Sequence, residues 1–411
     1  MKNFAKKISG KLGILKYTLV QLVSKALVLI STYIIALLTT NEVFGYVSLL
    51  QAALVTAVTL FGFNLQSGFI RYYYSYNLHY IYYAARPLIV FLFLLSISVG
   101  GALLYIFEDH KYYIWFSLLP LIGFLNGIAL VFSMLARGND KFFLYLLAEI
   151  MRPISLFFVA VCFYFNEFNI VSIYIFALLF SLLFTVLVCL LKKENFIYIG
   201  EISKNNKLST STFVMYTTPL FFVQLMSLVN NVSDRYIMTH YLSISEIGQY
   251  GKAYLVGSSF GLFLDSLMLL WTPFVMKNRD GFIRSNLKKL HTFSVLICIF
   301  SLTLAIVPFT IGVPNLSRIG VSDQFMIIMV VVLAAFLGRG GYQILTPVVS
   351  AHDKTSWIAK IALISMLIGL ILSLTLIPKI GVIGGAIATF AAYFSYSVFA
   401  IYLIRRLKLV T

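Results

Sequence analysis

The feature that most constrains this sequence is a succession of long apolar stretches that follow one another from end to end. A bilayer core about 30 Å thick is crossed by roughly 20 apolar helical residues. Stretches such as 88–99 and 363–376 are of this kind and lack the regular polar alternation of a membrane β-strand. Because 61% of the 411 residues are hydrophobic and 11% are charged, too few polar groups exist to cover a water-soluble globule. The sequence therefore predicts an all-α polytopic membrane protein.

Twelve transmembrane helices are predicted, in two sets of six. They lie near 17–38, 47–69, 88–107, 113–135, 142–164, 170–191, 213–240, 250–275, 292–312, 325–349, 356–377 and 382–404. The apolar run of the first is long enough to span, so we interpret it as a helix rather than a cleaved signal. A polar stretch separates the sixth helix from the seventh. We therefore predict an N-terminal lobe over 1–191, a cytoplasmic linker over 192–211 and a C-terminal lobe over 212–411.

The basic residues are spread unevenly over the two sides of the predicted helices. With the N-terminus inside, 23 of the 31 Lys and Arg residues fall in cytoplasmic segments, five fall outside and three lie within spans. Cytoplasmic loops retain positive charge in membrane proteins, so both termini are expected to be cytoplasmic. The net charge of +17 is scattered over short loops without a continuous stripe, and we predict no nucleic-acid partner.

The residues that could carry covalent chemistry or hold a metal are dispersed. Cys162, Cys189 and Cys298 fall inside apolar segments without metal-ligand spacing, and we interpret them as small core residues. The five histidines form no metal-binding spacing, and no nucleophile motif accompanies them. The sequence therefore predicts no metal, no cofactor and no catalytic residue, and a protein that is not an enzyme.

The two halves carry a weak internal repeat. A shift of 203 residues aligns Gln21 with Gln224, Ser24 with Ser227, Tyr33 with Tyr236, and Phe44–Gly45 with Ile247–Gly248. Since each half holds an even number of helices, the copies share one orientation in the membrane. We therefore expect the two six-helix lobes to be related by a pseudo-twofold axis along the membrane normal.

Three groups of residues resemble a known family along essentially the whole chain. They are Thr40–Tyr46 (TNEVFGY), then Ser233–Ile237 (SDRYI) with Ser245–Tyr250 (SEIGQY), and Leu376–Thr389 (LIPKIGVIGGAIAT). Their order and spacing resemble the polysaccharide-transporter branch, the O-antigen flippase type, of the multidrug/oligosaccharidyl-lipid/polysaccharide (MOP) flippase superfamily.

The resemblance implies a pair of six-helix lobes in the bacterial cytoplasmic (inner) membrane. It implies translocation of undecaprenyl-pyrophosphate-linked oligosaccharide repeat units, of O-antigen or a related surface polysaccharide, from the cytoplasmic to the periplasmic leaflet. The expected partners are the lipid-linked oligosaccharide, membrane lipid, and the polysaccharide polymerase and chain-length machinery. The expected mechanism is alternating access.

Three cations lie within predicted spans: Lys25, Arg152 and Arg339. A cation facing lipid at the bilayer centre costs about 2.5 to 3.5 kcal/mol on insertion scales, so these side chains should face protein or water. We hypothesise that they line a water-filled cavity and bind the pyrophosphate, since arginine offers phosphate a two-pronged donor. Alternatives remain for each: Arg152 could pair with Glu149 three residues earlier, Lys25 could reach the cytoplasmic headgroups, and the glycines around Arg339 could serve helix packing.

Further polar groups recur within the apolar helices. Gln21 on the first helix and Gln224 and Asn231 on the seventh lie on polar faces at equivalent places in the repeat. They are predicted to bind substrate, although hydrogen bonding between helices would explain them as well. The carboxylates of Glu149 and Asp265 lie deep enough to be candidates for ion coupling, and pairing with a neighbouring cation is the alternative.

Two other functions remain open. A drug or organic-cation antiporter of the same superfamily would need acidic groups in its cavity, whereas the cations within spans outnumber Glu149 and Asp265. A membrane-embedded polysaccharide enzyme would need a positioned acid, base or nucleophile, which the sequence does not offer. The balance of charge favours an anionic lipid substrate.

Overall fold

The computed structural model of the chain describes residues 2–73, 76–106, 113–165, 170–192, 208–277, 282–310, 323–351 and 355–406. Throughout these ranges the regular structure is helical, as predicted. The helices are α1 (Lys2–Leu38), α2 (Asn41–Gly62), α3 (Leu65–Tyr73), α4 (Leu78–Ile106), α5 (Tyr113–Ser117), α6 (Leu119–Gly138), α7 (Phe142–Phe165), α8 (Ile170–Leu191), α9 (Thr210–Tyr241), α10 (Ile244–Lys277), α11 (Phe282–Thr310), α12 (Asp323–Ala351), α13 (Thr355–Ile380) and α14 (Val382–Arg406).

Two of the predicted spans are interrupted. The helix predicted over 47–69 breaks between α2 and α3, because Phe63 and Asn64 adopt φ angles of 45° and 51° in the left-handed region. The helix predicted over 113–135 breaks at Leu118, where α6 begins with Pro120 in its first turn. Proline has no amide hydrogen, and it is therefore favoured at a helix start.

The helices also extend beyond their predicted ends. α1 begins at Lys2 rather than near 17, and α4 begins at Leu78 rather than near 88. Hydropathy marks the apolar part of a helix and misses polar turns that continue it outside the membrane. Among the described residues, ten helical stretches are long and apolar enough to cross a bilayer. The protein is a multi-pass membrane protein.

Packing divides the chain into two compact units. Unit 1 comprises residues 1–38 and 50–228, and unit 2 comprises residues 39–49 and 229–411. Both α2 and α9 therefore contribute to each unit, with the divisions after Leu49 and Leu228. The lobes predicted from sequence place α9 in the second lobe from residue 212 onwards, and most of the predicted linker, 193–207, lies outside the described residues.

The first half of α9 packs with unit 1 through aromatic contacts. The rings of Phe63 and Phe221 stack with their centroids 4.4 Å apart, and Phe69 meets Phe213 edge-on at 5.8 Å. Inside unit 1, α6 is the most buried helix, and its Gly127 approaches Gly62 of α2 so closely that a Cβ there would lie 2.6 Å from the Gly62 Cα.

Candidate functional site

The predicted site residues fall into two groups, one in each unit. Unit 1 holds Gln21 and Lys25 on α1, Glu149 and Arg152 on α7, and Gln224 on α9; unit 2 holds Asn231 on α9, Asp265 on α10 and Arg339 on α12.

In unit 1, polar contacts join α1 to α7. The Ser24 hydroxyl donates to the Glu149 backbone oxygen at 3.0 Å, and Gln21 hydrogen-bonds the Tyr145 hydroxyl. Lys25, one turn beyond Gln21, is partly buried and interacts with neighbouring residues. The polar face of α1 therefore contributes hydrogen bonds between helices, one of the two roles that the sequence left open for it.

A small polar cluster lies at the end of this pair of helices that the topology predicts to be cytoplasmic. Lys16 Nζ lies 2.7 Å from Asp140 Oδ1, and the Tyr17 hydroxyl donates to the same oxygen at 2.6 Å. Asp140 precedes α7 with φ 55° and is 74% exposed. Hydrogen bonds from Lys16 and Tyr17 hold the pKa of the Asp140 carboxyl below its ordinary value.

Glu149 and Arg152 do not form the ion pair that their spacing allows. The Ser133 hydroxyl of α6 donates to Glu149 Oε1 at 2.5 Å. Arg152 is partly buried near the middle of α7, and its Nε is buried without a hydrogen-bond partner. Within the described part of the chain, no acidic side chain forms an ion pair with Arg152. Its charge is therefore left without a protein counter-ion there.

Two further polar groups belong to unit 1. Tyr174 of α8 lies close enough to Arg152 to interact electrostatically with its guanidinium, and it hydrogen-bonds Gln51. Gln224 of α9 carries a buried side-chain oxygen with no hydrogen-bond partner among the described residues. Its repeat counterpart, Gln21, is hydrogen-bonded, so the two glutamines have different surroundings.

In unit 2, Arg339 lies between an acid and an aromatic ring. Arg339 Nη2 is 3.8 Å from Asp265 Oδ1, and the guanidinium carbon lies 5.3 Å from the Tyr393 ring centroid. Gln343 Nε2 donates to the same Asp265 oxygen at 2.6 Å. The side chains of Arg339 and Asp265 remain 27% and 33% exposed. Arg339 is thus partly neutralised and still accessible.

Tyr393 connects Arg339 to Asn231. The Tyr393 hydroxyl donates to Asn231 Oδ1, so groups from α9, α12 and α14 share one tyrosine. Tyr254 of α10 also hydrogen-bonds Tyr393. The structure therefore brings together three of the four site residues that the sequence placed in the C-terminal lobe, Asn231, Asp265 and Arg339. The fourth, Gln224, belongs to unit 1.

The sequence did not single out Asp234 or the tyrosines near it. Asp234 is 3% exposed, and its carboxylate accepts from the Tyr250 hydroxyl and the Arg235 amide. The Arg235 guanidinium stacks on Tyr254 at 4.8 Å. The available signal was the recurrence of tyrosine every three or four residues, at 250 and 254 on α10 and at 393 and 396 on α14.

Helical units of membrane-spanning length, with charged side chains in the middle of apolar helices, define the class as a polytopic membrane protein. No family model and no curated protein matches the sequence. Among solved structures the chain is similar to the lipid II flippase MurJ in an inward closed conformation. The identity is 18%, the match covers 95% of this chain and 87% of that one, and the TM-score is 0.65.

It is also similar to a mutant form of the Vibrio cholerae MATE transporter VcmN, with 12% identity over 97% of this chain and 98% of that one and a TM-score of 0.57. MurJ and MATE transporters both belong to the MOP superfamily. The likeness shows that the chain shares the fold of these solved structures, and this is the fold that the sequence resemblance implied. The O-antigen branch continues to rest on the sequence resemblance.

Proposed function

We propose that this protein is a flippase that moves undecaprenyl-pyrophosphate-linked oligosaccharide repeat units, of O-antigen or a related surface polysaccharide, from the cytoplasmic to the periplasmic leaflet. The fold is shared with a protein named for flipping lipid II, which favours a lipid-linked substrate over a free solute. The three sequence motifs of the polysaccharide-transporter branch favour a sugar repeat unit as the cargo.

The observation that carries the proposal is the Arg152 side chain. An arginine near the middle of a membrane helix is costly when its charge is not offset, so it is retained where an anion or water meets it. The buried Nε of Arg152 lacks a hydrogen-bond partner, and the nearby Glu149 is engaged by Ser133. A pyrophosphate would supply both the missing negative charge and hydrogen-bond acceptors for the planar guanidinium.

Arg339 is proposed as the second anion-binding group. Its 3.8 Å separation from Asp265 is longer than the roughly 2.7 to 2.9 Å of a direct charge-assisted hydrogen bond. The guanidinium therefore keeps donors for a phosphate oxygen. Lys25, Gln21, Gln224 and Asn231 are proposed as further substrate-binding groups, through charge or through hydrogen bonds to the head group.

Alternating access would let the polar head group cross through water while the lipid tail stays in the bilayer. Covalent bonds are neither made nor broken in this cycle, so no catalytic residue is needed. Glu149 and Asp265 are the proposed ion-coupling carboxylates. We place the protein in the bacterial inner membrane with both termini cytoplasmic, because most basic residues fall on that side, next to the polymerase and chain-length machinery that would use its product.

The proposal is tested by deleting the gene and measuring lipid-linked sugars in each leaflet. We expect undecaprenyl-linked repeat units to accumulate in the cytoplasmic leaflet, and the wild-type gene to restore outward display. Complementation with Arg152→Gln should fail, whereas Lys141→Gln, which removes an exposed cation just before α7, should succeed. Normal display of repeat units in the deletion strain would contradict the proposal.

The MATE-like fold supports one alternative, an antiporter of organic cations. Such a protein needs an available carboxylate, whereas Asp265 contacts Arg339 and Gln343, and Glu149 accepts from Ser133. Binding of the purified protein to a cationic dye and to an undecaprenyl pyrophosphate lipid distinguishes the two. We expect the lipid to bind and to lose affinity in Arg152→Gln, and the dye to bind no better than to the empty membrane.

A further inference from the structure

Basic side chains converge at one end of unit 2, where α11 and α13 begin and α14 ends. The exposed cations there are Lys288, Lys289, Lys360, Arg405 and Arg406. The sequences of α11, α13 and α14 contain no Asp or Glu along their entire lengths. Asp280 and Asp353 lie in neighbouring segments outside the described residues. The three helices therefore supply positive charge without a counter-ion of their own.

Direct contacts join three of these cations to His291 and Trp357 in two groups, which the adjacent residues Arg405 and Arg406 link along α14. We name these five side chains the basic cluster: His291, Arg405, Arg406, Trp357 and Lys360. Arg405 Nε donates to His291 Nε2 at 3.0 Å, which joins α14 to α11. The Trp357 ring lies 4.6 Å from Lys360 Nζ and 5.7 Å from the Arg406 guanidinium carbon, which joins α13 to α14.

His291 orients the guanidinium group of Arg405. The His291 side chain is 7% exposed, and burial together with the Arg405 charge holds the pKa of its imidazole below the ordinary value. A neutral imidazole accepts at Nε2, so Arg405 is fixed through Nε. The terminal nitrogens of Arg405 make no hydrogen bond to any described residue, and they are left to bind an anion.

Apolar stripes begin directly beside these cations. On α13, Leu363, Ile364 and Leu367 follow Lys360 at helical spacing and are 40–44% exposed. On α14, Tyr402 and Val398 precede Arg406 by four and eight residues and are 58% and 43% exposed. A ligand held by the cations would therefore meet apolar helix surface immediately next to its charged part.

We propose that the basic cluster is a binding site for the phosphodiester headgroup of an anionic phospholipid, whose acyl chains lie along the apolar stripes of α13 and α14. The charge selects an anion, and the stripes select a lipid over a soluble phosphate. Trp357 lies where an aromatic ring anchors a helix at the headgroup level. This lipid belongs to the membrane leaflet at that end of unit 2, and it is distinct from the transported substrate.

The test uses the full-length protein in vesicles of phosphatidylcholine that contain brominated phosphatidylglycerol or brominated phosphatidylcholine. Bromine quenches tryptophan at close range, so the difference between wild type and Trp357→Phe isolates Trp357 from the two other tryptophans. We expect brominated phosphatidylglycerol to quench Trp357 at several-fold lower mole fraction. The preference should be abolished in Arg405→Gln/Arg406→Gln, because one cation near an anionic surface contributes about a fivefold change in binding and the expected wild-type preference is several-fold.

The matched control is Lys141→Gln/Lys192→Gln, which removes two exposed cations of unit 1 and should leave the preference intact. Lys360→Gln alone, at an exposed position, serves as the milder variant if the double arginine variant unfolds. Equal quenching by the two lipids in wild type overturns the proposal. So does an equal loss in the control, which would indicate general surface charge, or displacement by soluble glycerol phosphate, which would indicate a site for free phosphate.

Discussion

A Cβ atom on Gly248 would stand 1.7 Å from the backbone carbonyl oxygen of Asn41. Gly248 lies in the first turns of α10 and Asn41 is the first residue of α2, and both belong to unit 2. The same approach leaves 2.2 Å between a Cβ on Gly45 and the Ile244 oxygen. Gly45 and Gly248 are also the pair that the sequence repeat aligns. Here the backbones of two helices touch, and neither position has room for a side chain.

Gly248→Ala is therefore expected to destabilise the packing of α2 against α10. The clash is with backbone atoms, which cannot move aside as a flexible side chain can, and overpacking costs about 1 to 3 kcal/mol or more. We expect a lower apparent thermal unfolding midpoint for the purified protein in detergent. Gly101→Ala is the matched control, because a Cβ there meets nothing within 4 Å. Equal midpoints for Gly248→Ala and wild type would contradict the observed contact.

The sequence predicted the helices well because lipid selects long apolar runs, and that selection is independent of the partner each helix meets. It failed where local backbone conformation decides, as at Phe63 and Asn64. The sequence also left the pairing of the charges open. Spacing places Glu149 and Arg152 on one helical face, but the Glu149 carboxylate accepts a hydrogen bond from Ser133 of another helix instead of pairing with Arg152. The partner of Arg339 is Asp265, 74 residues away, which no local pattern reveals.

Arg152→Gln is expected to reduce transport of the lipid-linked substrate by about tenfold or more, since one lost charge-assisted contact is worth about 1.5 to 3 kcal/mol. Arg152→Lys should recover part of the activity, because it keeps the charge and loses the two-pronged geometry. The measurement is the initial rate of translocation in proteoliposomes. If Arg152→Gln transported at the wild-type rate, the side chain would have a structural role alone.

Arg339 and Asp265 are expected to show coupled effects on stability. Removing one partner leaves the other charge uncompensated in the middle of unit 2, whereas removing both partners leaves no uncompensated charge there. Asp265→Asn and Arg339→Gln should each lower the unfolding midpoint, and the double variant should lose less than the sum. Because both side chains are about a third exposed, the coupling should be about 1 kcal/mol rather than that of a fully buried pair. Strict additivity would show that the 3.8 Å contact contributes no stability.

The cluster of Lys16, Tyr17 and Asp140 should make stability depend on acidity. Because Lys16 and Tyr17 lower the pKa of Asp140, the ionised carboxylate stabilises the folded protein above its unfolded pKa of about 4. This contribution is lost as the pH falls through the lowered pKa of the folded state. Asp140→Asn removes it, so wild type should unfold at a higher midpoint than the variant at neutral pH, and the two should converge towards pH of about 3. The difference should be small, since Asp140 is 74% exposed and solvent screens its contacts. A midpoint difference that stayed constant across this range would mean that the Asp140 side chain acts through shape rather than charge.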